Sequence, residues 1–178
     1  MNNDPLKIGL ALSDVGARGL VHIGVLEALH KNIPISHIAG TSIGAIVGAM
    51  YCSTMDPDWI YNRFHNFFKT DEFLSIGLDR LDIQDEEEPS FWEDIGHYVK
   101  EKVVINLAIE RKGILKPSRL KQAVKYLVPA EKFNELRIPF SCVAVDLHSG
   151  KDIIYESGNL VDAIVASAAI PGYLQPIE

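Results

Sequence analysis

The stretch Ile35–Cys52, ISHIAGTSIGAIVGAMYC, decides how this chain is read. Ile35 to Ala39 is a short apolar run of strand length, and Gly40-Thr41-Ser42-Ile43-Gly44 is a tight turn. From Ile43 to about Cys52 the residues are small and apolar, the composition of a helix packed closely on its neighbours. Upstream, Leu6 to Leu12 (LKIGLAL) is another strand-length run, ending at the turn-like cluster Ser13-Asp14-Val15-Gly16. A helical stretch follows from about Ala17 to Lys31, broken by Pro34, and apolar residues on most of its faces predict burial on more than one side. Strand, helix, strand, helix within about 50 residues argues for α/β architecture with a parallel pair.

Working downstream, Asp56-Pro57 reads as an N-cap followed by proline at the first helical position. The helix it opens carries Ile60, Phe64, Phe67 and Phe68 at helical spacing. These aromatics, with Phe91 and Trp92, read first as core and second as the lining of an apolar channel or a membrane contact. Thr70 to Pro89, with the acidic run Asp85-Glu86-Glu87-Glu88, reads as a solvated loop. Ser90 and Glu93 have capping-box spacing and open a helix to roughly Arg111. Ser118 to Val128 is amphipathic, with Leu120, Ala123, Val124, Leu127 and Val128 on one stripe. Phe140–Val145 and Asp152–Tyr155 read as strands joined by a Ser-Gly turn, and Asn159 starts a last helix, Leu160 to Ala169. Residues 1–178 carry no linker and read as one domain. Tyr173 to Glu178 looks like the approach to a further strand, so that domain is expected to be incomplete after 178.

Composition narrows the function classes. Of 178 residues, 47% are hydrophobic and 23% charged, which excludes wholesale disorder. Seventeen Lys+Arg against 24 Asp+Glu give a net charge of −7 with no long basic run. That argues against nucleic-acid binding and against purely electrostatic docking on anionic lipid, while leaving a transient hydrophobic membrane contact open. Cys52 and Cys142 lie in apolar segments and read as reduced core residues. With no secretory n-region and no apolar stretch of about 20 residues, a cytoplasmic protein is the expectation. No oligomeric state is predicted.

The chemistry centres on Gly40-x-Ser42-x-Gly44. A serine on a sharp strand-to-helix turn presents its hydroxyl at the sheet edge, and flanking glycines relieve collisions with the neighbouring strand and helix. The helix N-terminus offers partial positive charge to a developing oxyanion. The bare pattern arises by chance in roughly 5% of chains this long, so the strand–turn–helix context carries the reading. The later histidines His65, His97 and His148 read as surface or satisfied side chains, since no third-group pattern accompanies them. A carboxylate acting directly as base is the alternative. The upstream turn Ser13-Asp14-Val15-Gly16-Ala17-Arg18-Gly19 lacks the Lys-Ser/Thr of a P-loop and the dinucleotide spacing, yet a strand–helix turn of this kind can supply N–H groups to an anion.

Taken together, LALSDVGARGLVHIGVLEAL, IAGTSIGAIVGAMY and VASAAIPGYLQPIE, in that order, resemble the patatin-like phospholipases, the bacterial lipid acyl hydrolases. The resemblance spans nearly the whole chain. It implies a three-layer α/β sandwich with a mainly parallel central sheet, and a Ser–Asp dyad that cleaves fatty acyl esters of lipids without metal or cofactor. It implies Ser42 as nucleophile within Gly40 and Gly44, and an oxyanion site at Val15, Gly16 and Arg18, the last at the family's basic position. Two departures stand out. The family turn reads Gly-Gly-Gly-x-Arg-Gly, and here Asp14 and Val15 replace the first two glycines. The family's aspartate lies in an Asp-Gly-Gly or Asp-Gly-Ala turn after the third block, which places the partner of Ser42 beyond Glu178. Asp146 matches a different family position. Two readings follow: a serine lipid acyl hydrolase, or a catalytically inactive member that binds lipid or a partner. An acyl carrier protein transacylase shares a related serine turn but needs a histidine base.

Overall fold

The computed structural model describes residues 8–14, 16–70, 117–170 and 177. Four strands form one sheet in chain order: β1 (Ile8–Leu12), β2 (Ile35–Gly40), β3 (Phe140–Val145) and β4 (Asp152–Tyr155). β1, β2 and β3 run parallel, and β4 returns antiparallel to β3. Leu12 lies beside Gly40, and Gly40 beside Cys142. The carboxyl ends of the three parallel strands therefore share one edge, where ligands of open α/β sheets bind.

Five helices are described: α1 (Val21–His30), α2 (Ile43–Thr54), α3 (Pro57–Phe67), α4 (Pro117–Leu127) and α5 (Leu160–Ala168). Every residue of α2 from Gly44 to Cys52 is buried, as its small and apolar composition requires, and the one phenol there, Tyr51, meets the His30 Nδ1 at 2.9 Å. α2 and α5 lie against one face of the sheet. A Cβ on Gly48 would meet Ile38 and Phe140 at 3.0 Å, and the Cys142 Sγ stands 3.4 Å from the carbonyl of Ala163. α1 and α3 pack on α2, and α4 packs on α5. On the other face Ala11, Val145 and Ile154 are exposed. The expected mainly parallel sheet with flanking helices is thus present. The helix expected from Ser90 to Arg111, nearly all of the loop expected before it, and any third layer lie outside the described residues.

Local signals account for the elements. Asp56 accepts a hydrogen bond from the Trp59 N–H at 3.0 Å and Pro57 fills the first helical position. Asn159 caps α5 by accepting from the Asp162 N–H at 2.9 Å. α3 buries Ile60, Phe64 and Phe67, whereas Phe68, just past its end, is exposed. α4 buries Ala123, Val124 and Leu127, with Leu120 half-buried on the same stripe. Phe91 and Trp92 lie outside the described residues.

Two expectations for the first helix need correction. The stretch from Ala17 is not α-helical at its start: Gly16–Leu20 forms a 3-10 turn and α1 begins at Val21. Tight turns of this kind are common at helix N-termini, and the glycines disfavour α-helix. Nor is α1 buried on several sides. Ile23 and Leu26 are its buried residues, while Val21 and Val25 are 62% and 41% exposed. The physical reason is strand order: β1 is an edge strand among the described residues, so the helix joining it to β2 meets neighbours on a single stripe.

Candidate functional site at the Ser42 bend

Ser42 follows β2 directly after Thr41 and stands at the N-cap position of α2 with φ 51° and ψ −121°. Serine is a favoured N-cap because in the extended region its hydroxyl reaches the amides of the first turn. The same molecule shows that rule twice: Asp56 (φ −140°, ψ 98°) and Asn159 (φ −80°, ψ 112°) are extended, and both side chains cap. Ser42 does not cap, and among the described residues its Oγ has no hydrogen-bond partner. Its ψ of −121°, against 98° at Asp56 and 112° at Asn159, turns the side chain away from the helix amides. Met55 is the other described non-glycine residue with positive φ, but its φ 57° and ψ 34° are the ordinary left-handed stop of a helix. The Ser42 conformation is strained by about 1–3 kcal/mol, a cost borne where surrounding structure over-determines the backbone. Ser42 is half-buried, so its hydroxyl is not sealed in the core.

The two flanking glycines are what lets the backbone make this bend. A Cβ on Gly44 would lie 2.2 Å from the carbonyl oxygen of Leu12, and one on Gly40 would lie 2.6 Å from the carbonyl oxygen of Gly44. In both cases the obstacle is backbone, which cannot rotate aside. The Thr41 N–H donates to the Leu12 carbonyl at 3.1 Å, fastening the bend to the end of β1.

That contact also brings the second sequence motif to the first. A Cβ on Gly19 would meet the Ile43 side chain at 2.3 Å, so the 3-10 turn packs against the residue after Ser42. His22 ties the same turn down: its Nε2 is 3.0 Å from the Ser13 carbonyl, and because a carbonyl can only accept, that nitrogen carries the proton. Arg18 is exposed. Gly16 starts the 3-10 turn, and Val15 lies outside the described residues. The structure thus draws the Gly16–Leu20 turn and Ser42 to one sheet edge.

One residue of the site carries no local signal in the sequence. The Ser42 N–H donates to the Oγ of Ser167 at 2.9 Å, and the Ser167 hydroxyl donates to the Val143 carbonyl at 2.5 Å. Ser167 lies in the last turn of α5, inside the VASAAIPG block, 125 residues from its partner.

The histidine reading holds where it is described. His65 is exposed and stacks on Tyr61, with ring planes 8° apart. His148 lies in the β3–β4 turn, where its backbone N–H and the Ser149 hydroxyl both bond the Asp146 carboxylate. The Ser149 hydroxyl chiefly, with the His148 N–H, holds that carboxyl below its usual range. Asp146 therefore organises a turn, and its hydrogen bonds go to the His148 backbone N–H and the Ser149 hydroxyl. His97 lies outside the described residues. Cys52 and Cys142 are buried free thiols, pushed up to about 12 and about 11 by burial. No cluster of metal-ligating side chains occurs among the described residues, and no described helix is long and apolar enough to cross a membrane. Chemically, an uncapped hydroxyl at a helix N-terminus can attack an acyl carbonyl once a base takes its proton.

A family model described as patatin-like phospholipase matches residues 15–178. The chain belongs to that family. An uncharacterized NTE family protein of Mycobacterium tuberculosis is 31% identical over 179 residues, covering 97% of this chain and 40% of the relative. A patatin-like phospholipase domain-containing protein of Caenorhabditis elegans is 27% identical over 96% of this chain and 11% of its own length. The lysophospholipase NTE1 of Debaryomyces hansenii is 27% identical, with 96% and 10% covered. The chain therefore spans well under half the length of these curated relatives. Among solved structures, ExoU in its complex with SpcU, from the type III secretion system of Pseudomonas aeruginosa, shares the fold with a TM-score of 0.50. It is 18% identical, and the match covers 98% of this chain and 38% of ExoU. Family membership supports lipid hydrolase activity in general.

Proposed function

We propose that this patatin-like protein is a serine lipid acyl hydrolase in which Ser42 attacks the acyl carbonyl of a fatty acyl ester. The Ser42 Oγ–carbon bond forms as the ester carbon–oxygen bond breaks. The serine proton passes through a carboxylate to the leaving alkoxide, and water then hydrolyses the acyl-enzyme. The carboxylate is the family's aspartate, supplied beyond Glu178. Backbone N–H groups of the Val15–Gly16 turn hold the oxyanion, with Arg18 adding positive charge beside it, as the resemblance implies.

The observation that carries this reading is the uncapped hydroxyl of Ser42, left without a described partner by a backbone turned to φ 51° and ψ −121°. A structural serine at an N-cap would occupy the extended region and bond the helix. The substrate class is supported by the family and by a relative named a lysophospholipase. The test is hydrolysis of a lysophospholipid and of a diacyl phospholipid by the full-length protein: turnover that Ser42→Ala abolishes supports the proposal, and turnover that survives the substitution rejects it.

Asp14 and Val15 favour a second reading. A valine resists positive φ, and an aspartate sets negative charge near a developing oxyanion. Lipid binding by the full-length protein without ester turnover selects an inactive lipid-binding member instead. Restoring glycine at positions 14 and 15 then separates the causes, since a gain of hydrolysis places the defect in that turn.

A further inference from the structure

The bend at Ser42 is strained, and something beyond β2 and α2 must hold it. Between Thr41 and Gly44, three backbone N–H groups have partners among the described residues, and those partners differ. Thr41 is tied to β1 through Leu12, and Gly44 bonds within its own turn to the Thr41 carbonyl at 2.9 Å. Ser42 alone of these reaches a side chain, the Ser167 hydroxyl. Both directions of that hydroxyl are fixed by chemistry. An amide N–H can only donate and a carbonyl can only accept, so Ser167 Oγ accepts from Ser42 and donates to Val143. Val143 follows Cys142, the lateral neighbour of Gly40 in the sheet. One oxygen thus joins the bend to β3, the strand next to its own, and to the end of α5.

We infer that Ser167 is a positioning residue for Ser42: its hydroxyl clamps the Ser42 amide to the Val143 carbonyl and so sustains the backbone conformation that keeps the Ser42 hydroxyl off the helix. The inference rests on the reading of Ser42 as nucleophile. Without the clamp, the Ser42 amide loses its acceptor. The residue can then relax toward the extended N-cap conformation that Asp56 and Asn159 adopt, in which the hydroxyl turns onto the amides of α2 and is lost to the substrate. A hydroxyl is needed at position 167 because the role takes an acceptor and a donor at once. Threonine supplies both and alanine neither.

The experiment uses the full-length protein and a fluorophosphonate probe, with Ser42→Ala as control. Ser167→Ala and Ser167→Thr are compared for labelling rate, for kcat and KM on a lysophospholipid, for melting temperature, and for hydrogen exchange at the Ser42 amide. Ser167→Ala is expected to slow labelling by tenfold or more and to lower kcat with KM unchanged, on the scale of one lost positioning bond. Exchange at the Ser42 amide accelerates, and Ser167→Thr restores both. Labelling of Ser167→Ala at the wild-type rate overturns the inference. So does a loss that threonine fails to rescue and that merely follows the melting temperature. Absence of Ser42-dependent labelling in the wild type is a different failure: it removes the nucleophile, and the positioning role falls with it.

Discussion

Replacing Gly44 by alanine tests the geometry of the bend most sharply. The new Cβ would lie 2.2 Å from the Leu12 carbonyl oxygen, 2.6 Å from its carbon and 2.8 Å from the Ser13 carbonyl oxygen. These atoms belong to β1 and the turn leaving it, and β1 is held by its pairing with β2. The start of α2 must therefore back away by about 1 Å to reach an ordinary contact. Overpacking of this kind costs about 1–3 kcal/mol, which lowers the melting temperature by about 3–10 °C in a chain of this size. Because Ser42 moves with α2, a displacement of that order should slow reaction with a fluorophosphonate by about a hundredfold. Gly24 provides the contrast. It lies on the exposed side of α1 and a Cβ there meets nothing within 4 Å. Gly24→Ala should stabilise by about 0.5–1 kcal/mol through helix propensity and leave labelling unchanged. Thermal melts and labelling rates on the two variants decide the matter. Wild-type melting and wild-type labelling in Gly44→Ala would refute the argument.

Further outcomes follow from local features. Asp56→Ala should cost about 1 kcal/mol, and a melting temperature equal to wild type would show that the cap on α3 contributes nothing. Ser141, 6% exposed, accepts from the His37 Nε2 at 2.9 Å and donates to Glu156 at 2.8 Å, so it bridges β2 and the end of β4 from within β3. Ser141→Ala removes both bonds and should cost about 0.5–1.5 kcal/mol by denaturant unfolding; a cost near zero contradicts the bridge. Cys52 and Cys142, with ionisation pushed up to about 12 and about 11 by burial, should resist Ellman's reagent at pH 8 in the native state and react in denaturant. Above the ordinary thiol value of 9.0 the unfolded chain releases protons that the native state keeps. Stability should therefore fall with rising pH in that range, and Cys52→Ala should flatten the fall. Rapid native labelling at pH 8 would contradict this.

Much of the fold is legible because its signals are local. Asp56-Pro57 and Asn159 mark helix starts through bonds that span three residues. The strand runs Ile35–Gly40 and Phe140–Val145 differ little from their sequence reading, since their apolar residues are what the core demands. The two glycines of the serine turn are legible for the same reason: each avoids an obstacle set by the bend itself or by the end of the neighbouring strand. What escapes the sequence depends on which strands become neighbours. The exposure of Val21 and Val25 follows from the edge position of β1 among the described residues, which no stretch of α1 encodes. The clamp of Ser167 on Ser42, the His22 bond to Ser13 and the bridge from His37 through Ser141 to Glu156 each join residues that are distant in sequence or read as ordinary within it. An alanine-rich helix end containing one serine gives no reason to single that serine out.

Central to the account is that the hydroxyl of Ser42 is the reactive group of this family member. The most direct measurement is peptide mapping of the full-length protein after fluorophosphonate treatment. The tryptic peptide Asn32–Arg63 contains Ser36, Ser42 and Ser53, so fragmentation can distinguish them. The account predicts one phosphonyl adduct, on Ser42, absent from Ser42→Ala. An adduct on another serine of the protein, or none, would contradict it.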